Sequence, residues 1–134
     1  MKTPYLILVL LISTHISLAQ AENETVKALL QVYASQGATE ANAEQGKHLW
    51  QKTFQSNSEF SKRSCASCHT ENLSVAGKHI KTNKLIKPMA PSANSERLTD
   101  KKKIEKWFKR NCKWTMGREC TAQEKASFLI YINK

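Results

Sequence analysis

The pentapeptide Cys65-Ala66-Ser67-Cys68-His69 decides how this sequence folds. Its C-x-x-C-H spacing is the pattern for covalent attachment of a c-type haem. Two thiols on one turn can each bind one vinyl group of a porphyrin, and the adjacent histidine can place its imidazole over the iron as proximal ligand. The motif occurs once. We therefore expect one haem c, attached to Cys65 and Cys68 and ligated by His69.

Two other uses of these cysteines fit the sequence less well. A thioredoxin-like redox pair would follow a strand of a βαβ unit, and no such pattern precedes Cys65. A zinc site could add Cys112 and Cys120, but their C-x₇-C spacing is not usual for a zinc knuckle. Haem attachment is therefore the better interpretation.

The N-terminus predicts export. An apolar run over residues 5–12 follows one positive charge and precedes the small-residue site Ala19-Gln20-Ala21, which is the pattern of a secretory signal peptide. A membrane anchor would need about 20 apolar residues, and polar side chains interrupt this run. The predicted domains are a signal peptide over residues 1–21 and a monohaem cytochrome c domain over residues 22–134. We expect a periplasmic location, where cysteines unused by a cofactor pair.

Length and composition restrict the protein class. The chain has 134 residues, of which 40% are hydrophobic and 24% charged. These values indicate one small globular domain and exclude disordered, collagen-like and multiply membrane-spanning proteins. A core this small often needs a cofactor or a disulfide to hold it, and the four cysteines can provide both.

The charge is strongly basic, at +10. Nucleic acid is an unlikely partner for an exported chain, so we expect the basic residues to attract an acidic redox partner, with anionic lipid headgroups as an alternative. Most of these residues follow the haem motif: Lys81, Lys84, Lys87, Lys101, Lys102, Lys103, Lys106, Lys109 and Lys113.

The spacing of apolar residues predicts four helices around a loop-rich middle. Asn23 is expected to cap the first helix, which ends at Gly37. The second begins near Asn42, with Gln45 placed to reach back to the cap. Gly46, inside that helix, is expected to let another helix approach closely.

The third helix is predicted to start at Thr99 or Asp100 and to stop at Asn111, and a capping box of Thr121 with Glu124 begins the last helix. The buried side of the third helix is predicted to consist of Ile104, Trp107 and Phe108. The fold class is therefore all-α, with long loops that need a bound group to pack against. We expect the haem to be that group.

The ligand opposite His69 distinguishes a closed electron carrier from an openable binding site. Met89 and Met116 could each complete a His/Met pair, although a methionine more often fills a core. His48 and His79 could form a bis-His site, but we expect the first to be packed or solvated and the second to lie in an exposed loop. Asn111 adjoins Cys112, which we expect to pair with Cys120 and so brace this segment.

Several motifs together resemble one family. From the second helix to the C-terminus, the sequence is similar to the oxygen-binding monohaem cytochromes c known as the sphaeroides haem protein, or SHP, family. The matching segments are Glu44-Gln45-Gly46, Cys65-Ala66-Ser67-Cys68-His69, Pro88-Met89-Ala90-Pro91-Ser92, Glu105-Lys106-Trp107, Arg110-Asn111-Cys112 and Gly117-Arg118-Glu119-Cys120-Thr121. The clearest departures are Lys113-Trp114-Thr115-Met116.

The resemblance implies a class I cytochrome c fold, with His69 and Asn111 as axial ligands and a disulfide between Cys112 and Cys120. In such proteins the asparagine leaves the iron on reduction, and O₂, NO or CO binds in its place. Electrons arrive from a dihaem cytochrome c. An amide oxygen is a hard, weak ligand that suits ferric better than ferrous iron, which agrees with such a release.

Three functions remain open at this point. The leading hypothesis is a protein that accepts electrons and binds a diatomic gas at an openable haem, with Asn111 as the displaced ligand. The alternative is a plain electron carrier with closed His/Met coordination. An enzyme that reduces O₂ or a nitrogen oxide would use the same open site, but the sequence assigns no catalytic acid or base to it.

Overall fold

The computed structural model describes residues 23–55 and 62–134, so the predicted signal peptide lies outside the described residues. Within the part described, no helix is long and apolar enough to cross a membrane. The helices are α1 (Glu24–Ser35), α2 (Ala43–Gln51), α3 (Ala66–His69), α4 (Lys101–Met116) and α5 (Ala122–Ile132). The strands are β1 (Phe54–Gln55), β2 (Lys62–Arg63), β3 (Gly77–Lys78) and β4 (Leu85–Ile86).

Helix α1 forms as its sequence predicts. The Asn23 side chain accepts a hydrogen bond from the Val26 amide and caps the first turn. The helix ends just before Gly37, whose φ of 97° is a conformation that favours glycine. Val26, Leu29 and Tyr33 are buried, so one face of α1 packs into the core.

Helix α2 packs tightly against α5. Asn42 caps it by accepting from the Gln45 amide. Gln45 does not reach back to the cap, because its side-chain oxygen accepts from Gln123 and Ser127 of α5 instead. The predicted role of Gly46 is confirmed: a Cβ at this position would lie 2.1 Å from the Ser127 carbonyl oxygen, so only glycine lets the two helices approach this closely.

Helix α4 is longer than predicted. Asp100 caps it, but the helix continues through Asn111 and ends at Gly117, whose φ is 73°. The predicted stop at Asn111 is wrong because Cys112 and Thr115 are buried and extend the apolar face by another turn. The prediction for Trp107 is also wrong, since its side chain is 42% exposed.

Helix α5 supplies the centre of the core. Thr121 and Glu124 form the predicted capping box. Leu129 is fully buried in an apolar cluster against α1, and Phe128 belongs to a second cluster beside the haem motif. The cluster beside the motif consists of Trp50, Leu73, Ala90, Cys112, Cys120, Phe128, Tyr131 and Ile132.

The middle of the chain contains two small antiparallel hairpins as well as loops. Strand β1 pairs with β2, and β3 pairs with β4. Each strand has only two residues, which is too short for the alternation that identifies a strand in a sequence. One hairpin precedes α3 in the chain and the other follows it, and β3 packs directly against α3.

Candidate haem site

The motif folds as one compact helical turn. Ser64 and Ser67 each use the side-chain oxygen to accept the other's backbone N–H, at 3.0 and 3.1 Å. The His69 amide donates to the Cys65 carbonyl at 3.0 Å, which closes the turn. This geometry brings Cys65, Cys68 and His69 to one place, as the C-x-x-C-H spacing predicts.

Trp50 of α2 fixes the end of that turn. Its ring centroid lies 5.5 Å from that of His69. Its indole N–H donates to the Thr70 carbonyl at 2.8 Å, where the backbone has a positive φ of 63°. One buried side chain therefore supports both the imidazole and the chain reversal that follows it.

Gly77 of β3 supports the same turn from the other side. A Cβ at residue 77 would lie 2.0 Å from the Cys68 carbonyl oxygen, so β3 can approach only because this residue is glycine. Next to it, the Ile80 amide lies 3.4 Å from Cys68 Sγ, within reach of a weak N–H to sulfur hydrogen bond. The turn is thus held by α2 and by the β3–β4 hairpin.

The chemistry of these side chains fits a covalently attached haem. Burial, with a smaller contribution from the positive charge of Arg97, lowers the pKa of His69 to about 4, so the imidazole is neutral, as an iron ligand must be. Among the described residues, no hydrogen-bond partner holds its buried Nδ1. Burial also raises the pKa of Cys65 to about 12, so this thiol is protonated at neutral pH.

The predicted disulfide between Cys112 and Cys120 is present, with the two Cα atoms 5.6 Å apart. It leaves Cys65 and Cys68 as the free thiols. The bond joins α4 to the start of α5, and both of its cysteines are buried beside the haem motif. It therefore anchors the part of α4 that carries Asn111.

Asn111 is exposed on α4, one residue before the disulfide. Its backbone is fixed by helical turns on both sides, because α4 continues to Met116. The side chain is thus presented by a rigid element and is not at a frayed helix end. The structure places His69 and Asn111 on separate elements, α3 and α4.

The two methionines have packing roles. Both are partly buried against the cluster beside the haem motif. Met116 Sδ lies 3.5 Å from Cys120 Sγ, a packing contact, since a disulfide sulfur carries no proton. The Met89 amide donates to the Leu73 carbonyl at 2.9 Å, which ties its loop to the core.

The two spare histidines lie in different surroundings. His48 is exposed on α2. His79 is half-buried, not exposed as predicted, because its ring packs on Trp114 at 5.6 Å. Its Nδ1 accepts hydrogen bonds from the amides of Lys81 and Thr82, so this nitrogen is occupied by its own loop.

Two arginines near the site were not found by sequence reasoning. Arg97 donates to the carbonyls of Lys87 and Pro88 at 2.7 and 2.8 Å and fixes the loop that contains Met89. Arg63 is buried and lies over the ring of Trp114. A single basic residue among many gives no sequence signal, and only the tertiary structure distinguishes these two from the surface lysines.

The basic residues form two exposed groups. One lies along α4 and the other on the β3–β4 hairpin. The helix group consists of Lys101, Lys102, Lys103, Lys106, Lys109, Arg110 and Lys113, and the hairpin group of Lys78, Lys81, Lys84 and Lys87. The hairpin also exposes apolar Ile80 and Leu85, the latter by 76%.

Comparison with known proteins decides the family. Residues 36–132 match a family described as a domain of unknown function, DUF1924. The chain is 37% identical to cytochrome c-type protein SHP of Cereibacter sphaeroides, over 85% of this chain and 87% of that one. The chain belongs to the SHP family of c-type cytochromes.

Other relatives agree. The structure of oxidized SHP, an oxygen-binding cytochrome c, superposes with a TM-score of 0.74 at 36% identity and covers 81% of this chain and 95% of that one. Oxidized cytochrome c'' from Methylophilus methylotrophus gives a TM-score of 0.71 at 33% identity, covering 83% and 94%. A sequence match to the same cytochrome c'' is 46% identical but spans 51% of this chain and 47% of that relative.

As a member of the SHP family, this protein is a monohaem cytochrome with one covalently attached haem c. The predicted fold class is also confirmed, since the helices superpose on cytochromes of this family. The two hairpins are small additions to an all-α cytochrome c fold.

Proposed function

We propose that this SHP-family cytochrome is an exported, periplasmic protein that accepts an electron and then binds a small diatomic ligand, O₂, NO or CO. Residues 1–21 act as its signal peptide and residues 22–134 as the mature domain. Cys65 and Cys68 hold the haem, and His69 and Asn111 ligate its iron. When bound, the haem supplies an iron that changes oxidation state and binds ligands opposite His69.

His69 provides the permanent ligand. Its imidazole is buried and neutral, and Trp50 fixes its position from α2. A ligand held by several packed elements cannot leave without disturbing the core. We therefore assign the exchange of ligands to the other proposed ligand, Asn111.

Asn111 provides the releasable ligand. The observation that carries the proposal is that Asn111 has an exposed side chain on a helix whose backbone is fixed beside a buried disulfide. An amide oxygen binds ferrous iron weakly, so reduction favours its departure. The similarity to oxidized SHP, an oxygen-binding cytochrome c, supports the binding of a diatomic ligand.

The alternative of a closed His/Met carrier has less support. Met116 packs on the disulfide and Met89 is tied by its backbone to Leu73.

Absorption spectra of the purified holoprotein test the proposal. We expect the reduced protein to bind CO, and Asn111→Ala to change the ferric absorption spectrum while CO binding persists. Met89→Leu and Met116→Leu serve as controls and should leave the ferric spectrum unchanged. A ferric sulfur-to-iron charge-transfer band without CO uptake on reduction would overturn the proposal in favour of methionine.

The electron donor in this proposal is an acidic redox protein, such as a dihaem c-type cytochrome. The hairpin group of lysines supports it, because Lys78 is the cross-strand partner of exposed Leu85 and the hairpin touches Cys68 through Ile80. Positive charge beside an exposed apolar residue suits rapid docking of an acidic partner close to the haem.

A further inference from the structure

Trp114 connects α4 to both sides of the haem motif. On one side, the Arg63 guanidinium lies 4.0 Å from the centroid of the Trp114 ring. Arg63 is 3% exposed and precedes Cys65 by two residues. A buried cation over an indole face is an attractive contact that fixes the position of both groups.

On the other side, Trp114 contacts the β3–β4 hairpin. The His79 ring lies 5.6 Å from the Trp114 ring. The next residue, Ile80, places its amide 3.4 Å from Cys68 Sγ. The chain segments that enter and leave the haem motif therefore both pack on this one side chain of α4.

Trp114 also lies on the helix that carries Asn111, three residues further along. Residues three apart in an α-helix are on adjacent turns of the same rigid element. A displacement of Trp114 relative to the haem motif must therefore displace Asn111. The disulfide at Cys112 bonds α4 covalently to the chain before α5, whereas α4 meets the haem motif through packing contacts, those of Trp114 among them.

We infer that Trp114 is a positioning residue that holds Asn111 at the distance from His69 at which both can ligate the iron. The inference rests on the proposed function, in which Asn111 is the releasable ligand. Trp114 itself is not proposed to bind the iron or the incoming ligand. It acts through the spacing of α4 and the haem motif, and so sets how strongly Asn111 competes with an incoming ligand.

Removal of the Trp114 ring should weaken that competition. Without it, the contacts from Arg63 and His79 to α4 are lost, and Asn111 holds the ferric iron less firmly. A mutation along such a connection changes coupling by about tenfold, so azide should bind the ferric protein about tenfold more tightly. For a one-electron couple, a tenfold weaker ferric ligand raises the reduction potential by about 59 mV.

The test compares variants of the holoprotein, with azide as the probe. Trp114→Ala should show tighter azide binding, a higher potential and faster amide hydrogen exchange in residues 111–116. Trp114→Phe keeps an aromatic face for Arg63 and should stay within about twofold of the wild type. Trp107→Ala removes an exposed tryptophan from the same helix and should change none of these values.

If Trp114→Ala does not retain haem, Trp114→Leu gives the same comparison with less lost volume. Wild-type azide affinity and potential in the folded variant would overturn the inference, and so would an equal shift in Trp107→Ala. Asn111→Ala separates this result from the proposed function. If Asn111→Ala binds azide more tightly and the Trp114 variants do not, the inference alone fails; if Asn111→Ala equals the wild type, the proposed ligand fails.

Discussion

Gly46 of α2 lies directly against the backbone of Ser127 in α5, with no space for a side chain between them. The Ser127 hydroxyl stabilises the contact between the two helices by donating a hydrogen bond to the Gln45 side chain at 3.1 Å. Because α2 also carries Trp50, this crossing determines how far the Trp50 ring extends toward His69. A glycine distant from the motif thus helps to set the position of the proximal histidine.

Gly46→Ala should therefore destabilise the protein. A new Cβ would meet the Ser127 carbonyl oxygen at 2.1 Å, so α2 and α5 must separate, and overpacking of this kind costs about 1–3 kcal/mol of unfolding free energy. Denaturant unfolding of the holoprotein measures the loss. Lys47→Ala, at the exposed neighbouring position, should change stability by less than about 0.5 kcal/mol, and an equal loss there would contradict this explanation.

Glu124 should stabilise the fold in a pH-dependent way. Arg118 donates to both of its carboxylate oxygens at 2.7 Å, and these bonds, with help from Thr121 and against the effect of burial, lower the pKa of Glu124. A lowered folded-state pKa means that the stabilisation is complete above the ordinary carboxyl range. It is lost as the pH falls through the folded-state value.

Glu124→Gln should cost about 1–2 kcal/mol at pH 7, since the Arg118 side chain is half exposed and screened by solvent. The difference from wild type should shrink as the pH falls below about 4. Unfolding curves between neutral and acid pH measure both effects. Glu119→Gln removes the exposed contact with Lys113 and is the control, with an expected loss of less than about 0.5 kcal/mol.

The disulfide should contribute stability and protect the ligand helix. It closes the segment from Cys112 to Cys120, and for a loop of this size the chain-entropy model gives roughly 2.5 kcal/mol. We expect the double variant Cys112→Ser with Cys120→Ser to lose about this amount in denaturant unfolding. Reduction of the wild-type disulfide should cause a similar loss, and an unchanged midpoint in both cases would contradict the prediction.

Electron delivery should slow as the ionic strength rises, because salt screens attraction between the basic surface and an acidic donor. Lys84→Glu on the hairpin should slow delivery several-fold at low salt. Lys102→Glu makes the same charge change at the start of α4. Ile104 in this part of the helix packs in the cluster against α1 and not in the cluster beside the haem motif, so the effect on delivery should be smaller. Stopped-flow reduction by a dihaem cytochrome measures these rates. A rate that does not depend on salt would remove the lysines from docking.

Local patterns were sufficient to predict most of the helices. The caps at Asn23, Asn42 and Asp100 and the capping box at Thr121 depend on side chains that bond to their own next turn. The exposure of Trp107 and the continuation of α4 beyond Asn111 could not be predicted in this way. Both depend on which parts of the helix other elements cover.

The sequence by itself determined the cofactor and predicts its point of attachment, because a C-x-x-C-H turn needs only five consecutive residues. It also determined the disulfide partners, since only Cys112 and Cys120 remain once that motif is assigned. Tertiary structure alone decided the surroundings of the site. The contacts around the site join residues that are far apart in the chain, so no local spacing predicts them. They are the contact of Trp50 with His69 and those of Trp114 with Arg63 and His79.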